Sequence, residues 1–179
     1  MSGAVAVWML EPDDATNRRR RMLTFALEDY RNHIAFGSES ARTFHPDDIH
    51  PQADQQLGRL QQRSNEVRAL LDQLGGPIGW NLTDIVIPAA VDQTTADERQ
   101  RAQFKSRWRV TSGAAHGFIW SHFGAAGTAF SDLDPSGIGL VTIGGSVQGL
   151  AVDYFTAYHV TARAWALFAK RAGWPALAA

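Results

Sequence analysis

The chain has 179 residues, 45% of them hydrophobic and 20% charged, enough for one globular domain with a real core. Seventeen basic residues against eighteen acidic ones leave a formal charge of −1, so no global field draws the chain to nucleic acid or to a membrane surface. There are no cysteines, which excludes a disulfide framework, cysteine-built zinc sites and thiol chemistry, and which fits a reducing, cytoplasmic setting.

No apolar run reaches the roughly 18–20 residues that a membrane span needs. Ala4 to Leu10 is apolar but short, has no basic leader and meets Glu11-Pro12-Asp13-Asp14 at once, so it does not read as a signal peptide. It reads as the end of a buried helix, which leaves room for an N-terminal helix upstream of Met1. The first strong helix is expected from Asp14 to Phe36, started by Pro12-Asp13 and stopped by Gly37. Leu23, Ala26, Leu27, Tyr30 and Ile34 recur at helical spacing and mark its inward face. Arg18 to Arg21 are consecutive, and steps of about 100° spread their charges around the cylinder.

Residues 37–50 read as a loop. Pro51 suits the first turn of a second helix that runs to Leu74. Leu57, Leu60, Ser64, Val67, Leu71 and Leu74 alternate spacings of three and four, the seam of one helix in a bundle. Gly75-Gly76-Pro77 ends it. Ile85 to Val91 is apolar and broken by Pro88, a short buried turn or half-helix. Thr95 with Glu98 fits a capping box and opens a third long helix, expected to run to His122 or Phe123. The stretch 124–149 is rich in glycine and includes the β-favouring run Leu140-Val141-Thr142-Ile143, so a loop or short hairpin is expected. The last helix is expected from Leu150 to Arg171, with Gly173 and Pro175 as stops. Its large residues Tyr154, Phe155, Tyr158, Trp165 and Phe168 predict a helix central to the core. The fold expected is all-α: a bundle of four to five helices, one domain over residues 1–179, with a glycine-rich loop or short β-hairpin before the last helix.

One constellation carries chemistry, Trp108-Arg109-Val110-Thr111-Ser112-Gly113-Ala114-Ala115-His116-Gly117. Positions seven apart on an α-helix differ by nearly two full turns, so Arg109 and His116 share a face with Ser112 between them. Trp120 continues the line. Arginine grips phosphate bidentately, and histidine exchanges protons near neutral pH. Together they suit phosphodiester cleavage, His116 acting on the attacking hydroxyl or leaving oxygen and Arg109 neutralising transition-state charge. Ser112 would support them by hydrogen bonding. The opposing reading makes these residues structural, His116 hydrogen-bonded in place and Arg109 paired with Asp29 or Asp153.

Arg109 and His116, with six residues between them, resemble the Arg-x4–6-His signature of HEPN domains. The resemblance covers these two positions and a helical architecture, and Val110 stands where that family often has a polar residue. The wider Trp108-Arg109…Ser112-Gly113…His116-Gly117 pattern is also similar to uncharacterised helical proteins of high-GC bacteria. The HEPN resemblance implies a metal-independent ribonuclease of a defence or toxin system that needs no cofactor. It implies a homodimer that joins two motifs into one site. The alternative, from another class, is a non-catalytic helical module. It would bind a small molecule or a partner protein in a pocket lined by Trp108, Trp120, Tyr154 and Trp165.

Weaker signals carry less. His45-Pro46-Asp47-Asp48-Ile49-His50 has metal-ligand residue types, but the segment also serves as a helix lead-in, and no metal is assigned. Arg18 to Arg21 with Arg101, Lys105 and Arg107 could meet RNA phosphates, against the plainer reading of salt-bridged helix faces. His33, His122 and His159 read as boundary or structural residues. Gly137-Ile138-Gly139 lacks a third glycine at dinucleotide-binding spacing, and no P-loop, His-Glu-x-x-His pair or nucleophile elbow is present.

Overall fold

Apolar residues at helical spacing and firm caps dictate the elements. A computed structural model describes residues 2–43, 50–116, 128–132, 134–137, 139–142, 144 and 146–174. The fold is all-α. The helices are α1 (Ser2–Leu10), α2 (Ala15–Thr43), α3 (His50–Gln73), α4 (Ile87–Thr94), α5 (Glu98–Ala115) and α6 (Val147–Ala172). A single π-turn, Leu82–Val86, leads directly into α4. The glycine-rich stretch before α6 contains one two-residue antiparallel pairing, Ala129 with Thr142 and Phe130 with Val141. These helices sort into two compact units, one drawn from Met1–Leu10 and Asn81–Ala179, the other from Glu11–Trp80.

The second unit is an antiparallel helical hairpin of α2 and α3. Thr24 and Leu27 on α2 and Ser64 and Leu71 on α3 form its buried strip; spacing picks out Leu27, Ser64 and Leu71, while Thr24 lies outside the expected face. Thr24 is satisfied although buried, because its Oγ1 accepts from the Ile78 N–H at 3.1 Å. Phe25 packs on Trp80 with ring centroids 5.3 Å apart. At the end of α3, Gly75 and Gly76 take positive φ, and the Gly76 N–H closes onto the Leu71 carbonyl at 2.8 Å, a left-handed termination that glycine adopts at no steric cost.

Helix α2 does not stop at Gly37 but continues to Thr43. The glycine there answers to packing instead: a Cβ added at Gly37 would stand 2.8 Å from Leu57 Cδ2 of α3.

In the first unit, α1 runs alongside and parallel to α6. The two are held close at one end by Gly3, whose absent Cβ would lie 3.2 Å from Thr161 Cα. At the other end Arg171 Nε donates to the Leu10 carbonyl at 3.2 Å. Among the described residues Trp8, 1% exposed, is the largest fully buried side chain, and Val5, Val7, Val86, Ile87, Ala90, Val91 and Leu167 are buried with it. Helix α4 has Pro88 in its first turn, where a missing N–H costs nothing. Helix α5 is capped by Asp97, whose Oδ1 accepts from Gln100 N–H at 2.9 Å. The expected capping residue, Thr95, bonds instead to Asp97 N–H and to the Gln100 side chain. Helix α6 begins at Ser146, whose Oγ accepts from Gly149 N–H at 2.9 Å, and ends at Gly173 with φ 70°.

The expectation that the aromatics of α6 fill the core is corrected. Its buried residues are Ala164, Leu167 and Ala169, while Tyr154, Phe155, Tyr158, Trp165 and Phe168 are exposed. Helix α6 thus buries two alanines and one leucine, Gly3 of α1 closes on its Thr161, and the large rings stand outward.

Candidate functional site

Four helices of the first unit line a half-open cavity of about 180 Å³. Each presents one face at helical spacing. Ile87, Ala90 and Val91 come from α4, and Phe104, Arg107, Trp108 and Thr111 from α5. Asp153, Thr156, Ala157, Val160 and Thr161 come from α6, and Gly3 and Ala4 from α1. The wall is mostly aliphatic and aromatic, with a few polar groups set into it, the usual make-up of a small-molecule site.

The polar groups of the wall do not satisfy one another. Arg107 Nε lies 3.9 Å from Asp153 Oδ1, close enough for an ion pair but too far for a hydrogen bond. Asp153 Oδ1 is buried and has no hydrogen-bond partner among the described residues, and the same holds for Trp108 Nε1. Native proteins pair nearly all such atoms. An acceptor and a donor, both buried and both without a hydrogen bond among the described residues, therefore belong to side chains that line one cavity.

Arg109, Ser112 and His116 stand elsewhere on α5. The helix turns about 100° per residue, so these three follow a flank beside the cavity-lining face of Phe104, Arg107, Trp108 and Thr111. Arg109 is exposed and Ser112 half-buried; His116 is exposed in the turn that ends the helix, its N–H donating to the Ser112 carbonyl at 3.1 Å. Arg109 lines an open depression with Lys105, Ser106, Thr83, Asp84 and Pro88. Of the four residues expected to line a ligand pocket, Trp108 does so. Tyr154 and Trp165 are exposed on α6 and are not part of the cavity wall. Trp120 lies outside the described residues, as do residues 45–49 of the histidine- and aspartate-rich segment. Among the described residues, no group of three His, Asp or Glu side chains is placed to hold a metal ion, and no helix is long and apolar enough to cross a membrane.

Sequence reasoning gave Arg107 only to a basic surface and offered Asp153, or Asp29, as a partner for Arg109, two residues further along the helix and so about 200° away. The signal was available: 104/107/108/111 and 153/156/157/160 are matching helical faces of small, apolar and β-branched residues, each with one charge at the same level.

Most of the basic residues singled out in the sequence meet local partners, while Arg19 is exposed. Arg18 donates to the Pro12 and Asp13 carbonyls, Arg20 to Gly75 and Gly76, and Arg21 pairs with Glu11 at 2.8 Å. Arg101 and Lys105 both face Asp92, at 3.7 and 3.5 Å. His33 is exposed on α2, and His159 stacks on Phe104 with centroids 6.4 Å apart.

Comparison with protein-family models, with curated proteins and with solved structures gives no match.

Proposed function

We propose that the chain is a helical binding module that takes a small, largely apolar molecule in the cavity between α1, α4, α5 and α6. One observation carries this reading. The cavity is lined mostly by aliphatic and aromatic side chains, and two of its lining residues, Trp108 and Asp153, carry a buried polar atom that has no hydrogen bond among the described residues. The volume is comparable to that of an engineered apolar cavity of roughly 150 Å³ that binds benzene.

The test is fragment binding followed by saturation-transfer NMR, on wild type and on Ala157→Phe. Ala157 lines the cavity yet is exposed, so the larger ring fills space without disturbing the core. Single-ring fragments should bind wild type and be displaced in the variant. Absence of binding, or binding indifferent to Ala157→Phe, rejects the reading.

A second reading is supported by the flank of α5. Arg109, Ser112 and His116 follow one another along it, and Arg109 and His116 are open to solvent, as a phosphodiester substrate would need. In this reading the protein is a HEPN-like ribonuclease, with Arg109 as phosphate clamp, His116 as general acid or base and Ser112 as support. It is tested by metal-free cleavage of a mixed RNA pool by wild type and by folded Arg109→Ala and His116→Ala. Cleavage lost in both variants supports it, and an inactive wild type removes it. The homodimer that the HEPN resemblance implies has its candidate surface in the exposed aromatics of α6.

A further inference from the structure

The α2–α3 hairpin carries an open cleft of its own, about 340 Å³, which shares no lining residue with the cavity. Residues 27, 31, 34 and 35 of α2 and 61, 64, 65 and 68 of α3 recur at helical spacing and line it from the two sides. Arg20 meets Gly76 near one end of the hairpin, and Gly37 approaches Leu57 further along. Between these two points Arg31 falls about level with Ser64, and Leu27 with Arg68. Two arginines thus line the cleft from opposite helices, about one turn apart in level.

Donors dominate this lining. Arginine offers donors only. Ser64, 7% exposed, adds a hydroxyl. Gln61 Nε2 donates to Asn65 Oδ1 at 3.2 Å, which occupies the Asn65 acceptor and leaves its NH2 group to donate. Against these stand the Gln61 amide oxygen and the Ser64 lone pairs. Among the described residues no carboxylate lines the cleft; Glu28 meets Arg31 at 3.4 Å from outside the lining. Arg68 is half-buried and makes no ion pair or hydrogen bond among the described residues. Guanidinium makes its strongest hydrogen bonds to carboxylate and phosphate oxygens. Two fixed positive charges match the roughly two negative charges of a phosphate monoester at neutral pH, whereas a carboxylate brings one. Leu27, Ile34 and Ala35 add apolar surface on the α2 side, which suits the organic group of an ester and does nothing for free phosphate.

We propose that the hairpin cleft binds a small phosphate monoester, its phosphoryl oxygens toward Arg31, Arg68, Ser64 and Asn65 and its organic group toward Leu27 and Ile34. No bond is made or broken.

The experiment is titration of the intact protein with phenyl phosphate, inorganic phosphate and benzoate, followed by backbone amide shifts in NMR. Ionic strength is held fixed, because salt screens exposed charges. Phenyl phosphate should move the amides of residues 31, 64, 65 and 68. It should bind more tightly than inorganic phosphate and about tenfold more tightly than benzoate, which has the same ring and one charge fewer. Arg31→Gln and Arg68→Gln should each weaken it about tenfold, as loss of a charge-assisted hydrogen bond does. Arg63→Gln should leave binding unchanged, since Arg63 pairs with Glu66 and does not line the cleft. Ala35→Glu places a carboxylate at an exposed lining position and should abolish binding; it decides the matter if an arginine variant fails to fold. Absence of phenyl phosphate binding, binding unmoved by the cleft variants, or equal loss in Arg63→Gln overturns the site. Benzoate bound as tightly overturns the phosphate assignment, and inorganic phosphate bound as tightly overturns the ester.

Discussion

Arg20 on α2 clasps the end of α3: its Nε and Nη2 reach the Gly76 carbonyl at 3.2 and 3.1 Å, and Nη2 also reaches Gly75 at 3.2 Å. The last carbonyls of a helix and its turn lack intrahelical donors, and a planar guanidinium answers two of them at once. Replacing Arg20 with alanine should cost about 1–2 kcal/mol, the worth of partly exposed hydrogen bonds from a charged donor. Lysine should restore less than half, because its ammonium lacks the fork. Urea denaturation of the three proteins checks this; equal stability of the lysine variant and wild type would show that charge alone is at work.

Three helical glycines should respond differently to alanine. A Cβ at Gly58 on α3 meets nothing within 4 Å, so Gly58→Ala should stabilise by about 0.5–1 kcal/mol through helix propensity. A Cβ at Gly37 meets only Leu57 Cδ2 and Cγ, the end of a side chain that can swing away, and the change there should be near neutral. A Cβ at Gly3 meets Thr161 Oγ1 at 2.9 Å and Thr161 backbone atoms at 3.2 and 3.3 Å. Backbone cannot yield by rotamer change, so Gly3→Ala should destabilise by on the order of 1–2 kcal/mol as α1 is pushed off α6. The ordering of the three midpoints in a thermal melt is the check.

These glycines also mark where the sequence is legible and where it is not. Helical spacing located the buried strip of the hairpin, and Gly75-Gly76 and Gly173 were readable as stops because positive φ is a local property. Gly37 looked the same locally, but its reason is Leu57 on another helix, which no window around residue 37 contains. Asp97 supplies the cap where Thr95 with Glu98 had the motif, since both lie within reach of the same free N–H groups. The α5 flank of Arg109, Ser112 and His116 was visible as spacing. The cavity was not, because it depends on which faces of four helices meet. Hydrophobicity misled on α6: ring size suggests burial, whereas the residues that α6 buries are Ala164, Leu167 and Ala169.

Trp8 tests whether the cavity depends on the core beneath it. The residue is 1% exposed, and α1 supplies Gly3 and Ala4 to the cavity wall. Trp8→Ala should cost about 3–5 kcal/mol as a large-to-small core change. Trp8→Phe should cost less and keep α1 seated. Fragment binding should vanish in the alanine variant and persist in the phenylalanine variant. Binding retained by a measurably destabilised Trp8→Ala protein would show that α1 is not needed to close the site.

The exposed rings of α6 make a prediction about assembly. Tyr154, Tyr158, Trp165 and Phe168 are spaced by four, seven and three, which puts them on one stripe. Trp165 meets Phe168 edge to face at 5.8 Å, and Phe168 meets Trp174 at 5.4 Å. A single exposed ring needs no explanation, but a continuous stripe over about four turns does. A two-fold contact of this stripe with a second copy would bury it against itself, since an isologous interface uses the same patch on both partners. Light scattering should therefore report twice the chain mass at micromolar concentration. Tyr158→Lys with Trp165→Lys should return a folded monomer, because both sites are exposed and lie outside the core. Because neither residue lines the cavity, that monomer should bind single-ring fragments as wild type does. A wild type that scatters as a monomer, or a double variant that remains a dimer, would mean that this stripe does not join two copies.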